Sequence, residues 1–125
     1  MIAQLLILAG LVMAATPQAA EPSRTDGLVA EVQLVDATPL GADAMLLLLL
    51  DDGRPFLVPD QRNLAVSSGM EVSVTYLPAA EGEVPVACQV KVIAVPVIIA
   101  GEERLQTAQR PFSVYRNRSE PCSNP

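Results

Sequence analysis

The sequence predicts an all-β protein: a small antiparallel β-barrel or sandwich of about five strands, after an N-terminal apolar helical signal segment, with a mostly irregular C-terminal tail. Three observations carry this expectation. Apolar and polar residues alternate with a period of two in residues 28–35 and again in 70–76. Turn chemistry (Asp51-Asp52-Gly53, Ser67-Ser68-Gly69, Pro78 to Glu83) recurs at intervals too short for β-helix-β crossovers. Residues 1–20 contain no Asp, Glu, Lys or Arg.

The first segment reads as an export signal or N-terminal anchor. Ile2 to Ala15 is apolar except for Gln4 and Gly10. As a helix it would rise roughly 21 Å, short of the roughly 30 Å hydrocarbon core of a bilayer. Thr16-Pro17-Gln18-Ala19-Ala20 then supplies a helix-breaking exit of mostly small residues. The expected location is periplasmic or secreted, with the membrane involved only if this segment is retained.

The barrel domain is expected over residues 27–100. In the first strand Leu28, Ala30, Val32 and Leu34 share one face, and Glu31 and Gln33 the other. The run Ala44 to Leu50 is too apolar for periodicity to separate strand from helix. Its seven-residue length and the Asp52-Gly53 pair that follows favour a strand leading into a two-residue type I′ hairpin. Arg54 to Val58 is the return strand, closed by Pro59. Asp60 to Ser68 reads as irregular, with one helical turn around Leu64 to Val66. Val72, Val74 and Tyr76 then alternate with Glu71, Ser73 and Thr75. In the last segment, Val84 to Ala100, the residues Val84, Val86, Cys88, Val90 and Val92 face one way and Gln89 and Lys91 the other. Pro96 belongs at an edge, bend or bulge, because it has no N–H to give to a ladder. The expected core comprises Val32, Leu34, Leu48, Phe56, Val72, Val74, Val86 and Val90, with Ser73 facing solvent.

The series Gly27-Leu28-Val29-Ala30-Glu31-Val32, Leu50-Asp51-Asp52-Gly53-Arg54 and Val66 to Val74 resembles small exported bacterial barrels of the OB-fold or SH3-like kind. The resemblance spans residues 27–97 and concerns the fold. Barrels of this kind host many functions, so it implies no activity and no site residue.

Residues 101–125 differ from the barrel in charge. Residues 26–103 hold 12 acidic and 3 basic side chains, whereas 104–125 hold 4 basic and 1 acidic. Gly101 to Gln109 has the length of a short helix, and Pro111 to Pro125 reads as extended or disordered chain. Arg104, Arg110, Arg116 and Arg118, with Phe112 and Tyr115 among them, form the candidate partner-binding set, docking on acidic surface of the barrel or of a partner. The alternative is a solvated tail. Cys88 and Cys122 permit one disulfide in an exported chain. The alternative is two thiols, with Cys88 buried as a small hydrophobe.

Composition removes whole classes of chemistry. There is no His, hence no imidazole base, Ser-His triad or imidazole–metal site. With 2 Phe, 2 Tyr, no Trp and a net charge of −6, neither a base-stacking platform nor a phosphate-binding surface is expected, so nucleic acid is not an expected partner. Asp51, Asp52 and Asp60 have no EF-hand spacing, and Asp51-Asp52-Gly53 is accounted for by a turn. Ser67 and Ser68 lack a base, and nothing links them to Lys91. Asn117-Arg118-Ser119 is a glycosylation acceptor only in a host that modifies exported proteins. No catalytic residue, cofactor site or metal site is predicted. The expectation is a non-enzymatic envelope module binding an unidentified protein or envelope component. The alternatives are a small cell-envelope hydrolase using carboxylates, or a membrane-anchored accessory subunit of a larger complex.

Overall fold

In the computed structural model, which describes residues 21–35, 44–119 and Cys122, the first strand serves two neighbours. β1 (Ser23–Val35) pairs antiparallel with β4 (Glu71–Leu77) through its first half and with β2 (Met45–Leu50) through its second. The strand changes partner at a bulge between Val29 and Glu31. β2 turns back into β3 (Pro55–Pro59), and β4 pairs with β5 (Val86–Ile99), all antiparallel. A parallel contact between Leu57 of β3 and Val86 of β5 closes the ring in the order β1-β2-β3-β5-β4 and back to β1. β6 (Glu102–Arg116) lies along β5 as a sixth strand. The expected signal segment, residues 1–20, and the turn expected at 39–43 fall outside the described residues. No helix among the described residues is long and apolar enough to cross a membrane.

The leucine run is a strand because both of its faces have apolar partners. Leu46, Leu48 and Leu50 fill the barrel, while Met45, Leu47 and Leu49 lie half-buried outside, opposite Pro59, Leu57 and Pro55. Val29, Phe56, Val58, Val72, Val74, Ala87, Val90, Val92 and Tyr115 complete the core. At one end of the barrel the 60–70 connection replaces the expected helical turn with an extended loop. Between Leu64 and Val66 the backbone bond runs from Val66 N–H to the Leu64 carbonyl, and Leu64, Val66 and Met70 pack against the core.

Three of the expected core positions need correction. Leu34 stands opposite buried Leu46, so its phase is inward, but it lies at the far end of β1 and is 63 % exposed. Val32 is partly buried against the core, and the bulge brings Val29 inside in place of Leu28 and Ala30. Val86 lies opposite Leu57 and Leu77, all three half-buried, and a bulge opposite Thr75 and Tyr76 leaves Ala87 in the core instead. Ser73, expected in solvent, is 5 % exposed.

The turns also refine the expectation. Asp51-Asp52-Gly53 is a three-residue connection closed by Leu50 N–H to Arg54 C=O, with only Gly53 at positive φ (92°). A type I′ turn would need positive φ at Asp52 as well, so this is a turn followed by a glycine bulge. Ser67-Ser68-Gly69-Met70 closes through Met70 N–H to the Ser67 carbonyl, with Gly69 at φ 91°, the third position of a type II turn. Pro96 lies on the stretch of β5 that extends past β4, where its missing N–H leaves no strand unsatisfied.

The largest departure is the tail. Residues 102–116 are neither helix nor irregular chain but a 15-residue strand. A two-residue turn, Ala100 (φ 53°) and Gly101 (φ 80°), starts it. It pairs with β5 in two stretches, Glu102–Thr107 and Phe112–Arg116, and residues 108–111 between them bow out opposite Ile93. As an edge strand, β6 is mostly exposed and lacks the alternation that marks a half-buried one.

Candidate functional site

The register of β1, β4, β5 and β6 aligns polar side chains in two rows across the outer face of the sheet. Arg24 pairs with Thr75, Thr75 with Gln89, and Gln89 with Arg116. Beside this row, Asp26 pairs with Ser73, Ser73 with Lys91, and Lys91 with Ser113. Side chains opposite one another on neighbouring strands share a face, so each row is continuous. The outward phase of β4 and β5, which leaves Val72, Val74, Val90 and Val92 inside, is what places Ser73, Thr75, Gln89 and Lys91 here.

Two adjoining depressions follow these rows. The larger, about 570 Å³, is lined by Thr75, Cys88, Gln89, Arg116, Asn117, Arg118 and Cys122. The smaller, about 170 Å³, is lined by Arg24, Ser73, Thr75, Gln89, Lys91, Ile93 and Pro111. They share Thr75 and Gln89 and so form one groove. Four cationic side chains line it, and no carboxylate does among the described residues, in a chain whose net charge is −6. Asp26 flanks the groove, 3.5 Å from Arg24 Nε. Arg24 Nε also donates to Ser73 Oγ at 2.7 Å, and Gln89 Nε2 donates to Ser113 Oγ at 3.4 Å. The groove is lined by guanidinium, ammonium, hydroxyl and amide groups with no aromatic ring, the chemistry for carboxylates on an extended chain.

Cys88 and Cys122 form a disulfide, with Cα atoms 5.3 Å apart. Cys88 is the extra residue of the bulge opposite Thr75 and Tyr76. The bulge breaks the expected inward alternation and lets Cys88 line the groove. The bond, with Asn117 N–H donating to the Cys88 carbonyl at 2.7 Å, holds the chain after β6 against the groove's end.

The structure does not bring the six residues expected to bind a partner together in one place. Arg116 and Arg118 line the groove. Arg104 lies at the far end of the β5–β6 hairpin, with Nη2 3.2 Å from Glu102 Oε2. Arg110 is exposed where β6 bows out, and Phe112 is 50 % exposed. Tyr115 is a core residue, 7 % exposed, paired with Val90 and bordering Asp60. Burial is the main reason its phenol is pushed up to about 12, and the Asp60 charge adds to this. Arg24, Ser73, Thr75, Gln89 and Lys91 are the groove residues not singled out in the sequence. The signal of the last four is the outward phase of β4 and β5, whereas Arg24 lies on β1 and has none of that kind.

Of the acidic residues considered for chemistry, Asp52 is held as structure, and Asp51 and Asp60 take part through their backbone N–H groups, which donate to the Leu28 and Ala44 carbonyls. Asp52 accepts from Arg54 N–H (3.1 Å) and Arg54 Nε (2.7 Å), and the backbone bond is the main cause that holds its carboxyl below the usual range. Arg54 also donates to Thr25 Oγ1 and to the Asp26 carbonyl, clasping the hairpin to β1 over Gly27. Among the described residues no group of three Cys, Asp or Glu could hold a metal ion. Asn117 Oδ1 accepts from Ser119 N–H at 3.0 Å, a local turn within the glycosylation tripeptide. Comparison with protein-family models, with curated proteins and with solved structures finds no match to this chain.

Proposed function

We propose that this chain is an exported, non-enzymatic binding module that holds an extended acidic peptide segment of an envelope partner on the row Arg24–Thr75–Gln89–Arg116. The observation that carries the reading is the groove itself: four cations and no lining carboxylate among the described residues of an acidic chain. At a strand spacing of roughly 4.8 Å, the ends of the row lie roughly 14 Å apart, the reach of about four residues of extended chain. Acidic side chains at positions i and i+4 of such a segment would meet Arg24 and Arg116, with Thr75 and Gln89 between them. The absence of an aromatic ring among the lining residues disfavours a nucleobase ligand.

Within this proposal the barrel is of the OB kind. The ring order with a parallel β3–β5 contact and a first strand shared by β2 and β4 supports that assignment over an SH3-like one. Export to the periplasm or beyond is supported by the charge-free apolar segment and by the disulfide. N-terminal sequencing of protein recovered from the envelope checks it, and the expected first residue lies between positions 17 and 21.

Fluorescence anisotropy with labelled extended peptides tests the binding reading. A peptide with Glu at i and i+4 is expected to bind at least about tenfold more tightly than its Gln counterpart at low ionic strength, and to weaken as salt rises. Arg116→Glu should abolish the difference. Equal binding of the two peptides sinks the proposal.

A further inference from the structure

β4 ends its pairing with β5 at Ala94, and beyond it residues 95–99 and 102–106 form a two-stranded ribbon with no third strand. Ribbons of this kind are marginal in water without further packing. This one carries Ile98 at 70 % exposure, and Ile99 and Leu105 about half-exposed. The outer edge of β6 is unpaired over Glu102–Arg110 among the described residues. An open edge of this length invites another strand.

We propose that the partner of this edge is a second copy of the chain, joined β6 to β6 antiparallel about a two-fold axis at Gln106. The charge order of the strand favours its own reverse. A two-fold at Gln106 sets Glu102 opposite Arg110 of the partner subunit, and Arg110 opposite Glu102 of the partner subunit. Leu105 then faces Thr107 of the partner subunit, and no like charges stand opposite one another. Two-folds at the neighbouring charged positions, Glu103 or Arg104, would set like on like. Isologous pairing of one strand with itself needs this kind of self-complementarity. The edge ends at Arg110, next to Pro111, which lines the near end of the groove; Glu102 to Thr107 contribute nothing to the groove lining.

Sedimentation equilibrium of the purified, oxidised protein tests the proposal. A reversible dimer is expected at low ionic strength. Arg110→Glu should weaken it by about tenfold or more, since two ion pairs are replaced by two repulsions. The double variant Glu102→Arg with Arg110→Glu should restore it. Both positions are exposed, so the variants keep the barrel intact. A monomer at all concentrations overturns the proposal, and so does a dimer indifferent to Arg110→Glu or one that the double variant fails to restore.

Discussion

Arg24 of β1 donates from Nε to the hydroxyl of Ser73 on β4 over 2.7 Å, diagonally between the two polar rows. Ser73 therefore anchors a guanidinium that the groove uses, although its place in the alternation reads as plain solvent-facing serine. Ser73→Ala is expected to lower stability by about 0.5–1 kcal/mol, the net worth of one such bond, and to weaken acidic-peptide binding. Urea unfolding and anisotropy on the same variant check both halves. Val74→Asp, one residue on, should unfold the domain by burying a carboxylate in the barrel.

The disulfide should account for a large share of stability. Its partners are 34 residues apart, and a loop of that size restricts the unfolded chain by about 4 kcal/mol in the chain-entropy model. Cys122→Ser, or reduction, should lower the denaturant midpoint accordingly and loosen Asn117 and Arg118 from the groove. An unchanged midpoint on reduction would remove the bond from the account of stability.

Ala100 occupies a left-handed conformation, φ 53°, in the turn that begins β6. Asn is far better suited to that position ahead of Gly101. Ala100→Asn is expected to raise stability by about 0.5–1 kcal/mol, read as a higher melting temperature. No contact of the barrel is altered, so a loss of stability would contradict the turn geometry.

Tyr115 makes stability fall in alkali. Its phenol ionises at about 12 in the folded protein, above the ordinary 10. Below pH 10 both states hold the proton and the group is neutral to stability. Between 10 and 12 the unfolded chain releases it more readily, so the folded state loses ground as pH rises. Denaturant midpoints at pH 8 and 11 should show the decline, and Tyr115→Phe should reduce it.

How far the fold could be read from the sequence depended on how each residue is buried. The alternating stretches, with Val72, Val74 and Val90 in the core, were legible because one face of each strand meets the barrel and the other does not, while Leu48 and Phe56 were legible from the turn that joins their two strands. Val29 was not, because a bulge adds a residue and resets the phase without any change in composition. β6 was hidden for the opposite reason. Its pairing is almost wholly backbone, and Tyr115 near its end is the one buried residue of the strand. The groove was legible only in fragments. Arg116 and Arg118 stood out by charge, but Arg24, Thr75 and Gln89 come from three other strands and meet only through register.

The ring of strands closes through one ladder pair, Leu57 with Val86, reinforced by Leu57 N–H donating to the Pro85 carbonyl at 2.9 Å. Every other junction is a run of several pairs. Thermal breathing should begin at that thin seam, where few hydrogen bonds must break together. The amide of Leu57 should then exchange with deuterium far sooner than those of Val72 and Val74, and by a local opening that leaves β1, β4 and β5 assembled. The barrel would behave as a curled sheet with a latch, able to part along one line while the polar rows on β1, β4 and β5 stay in register.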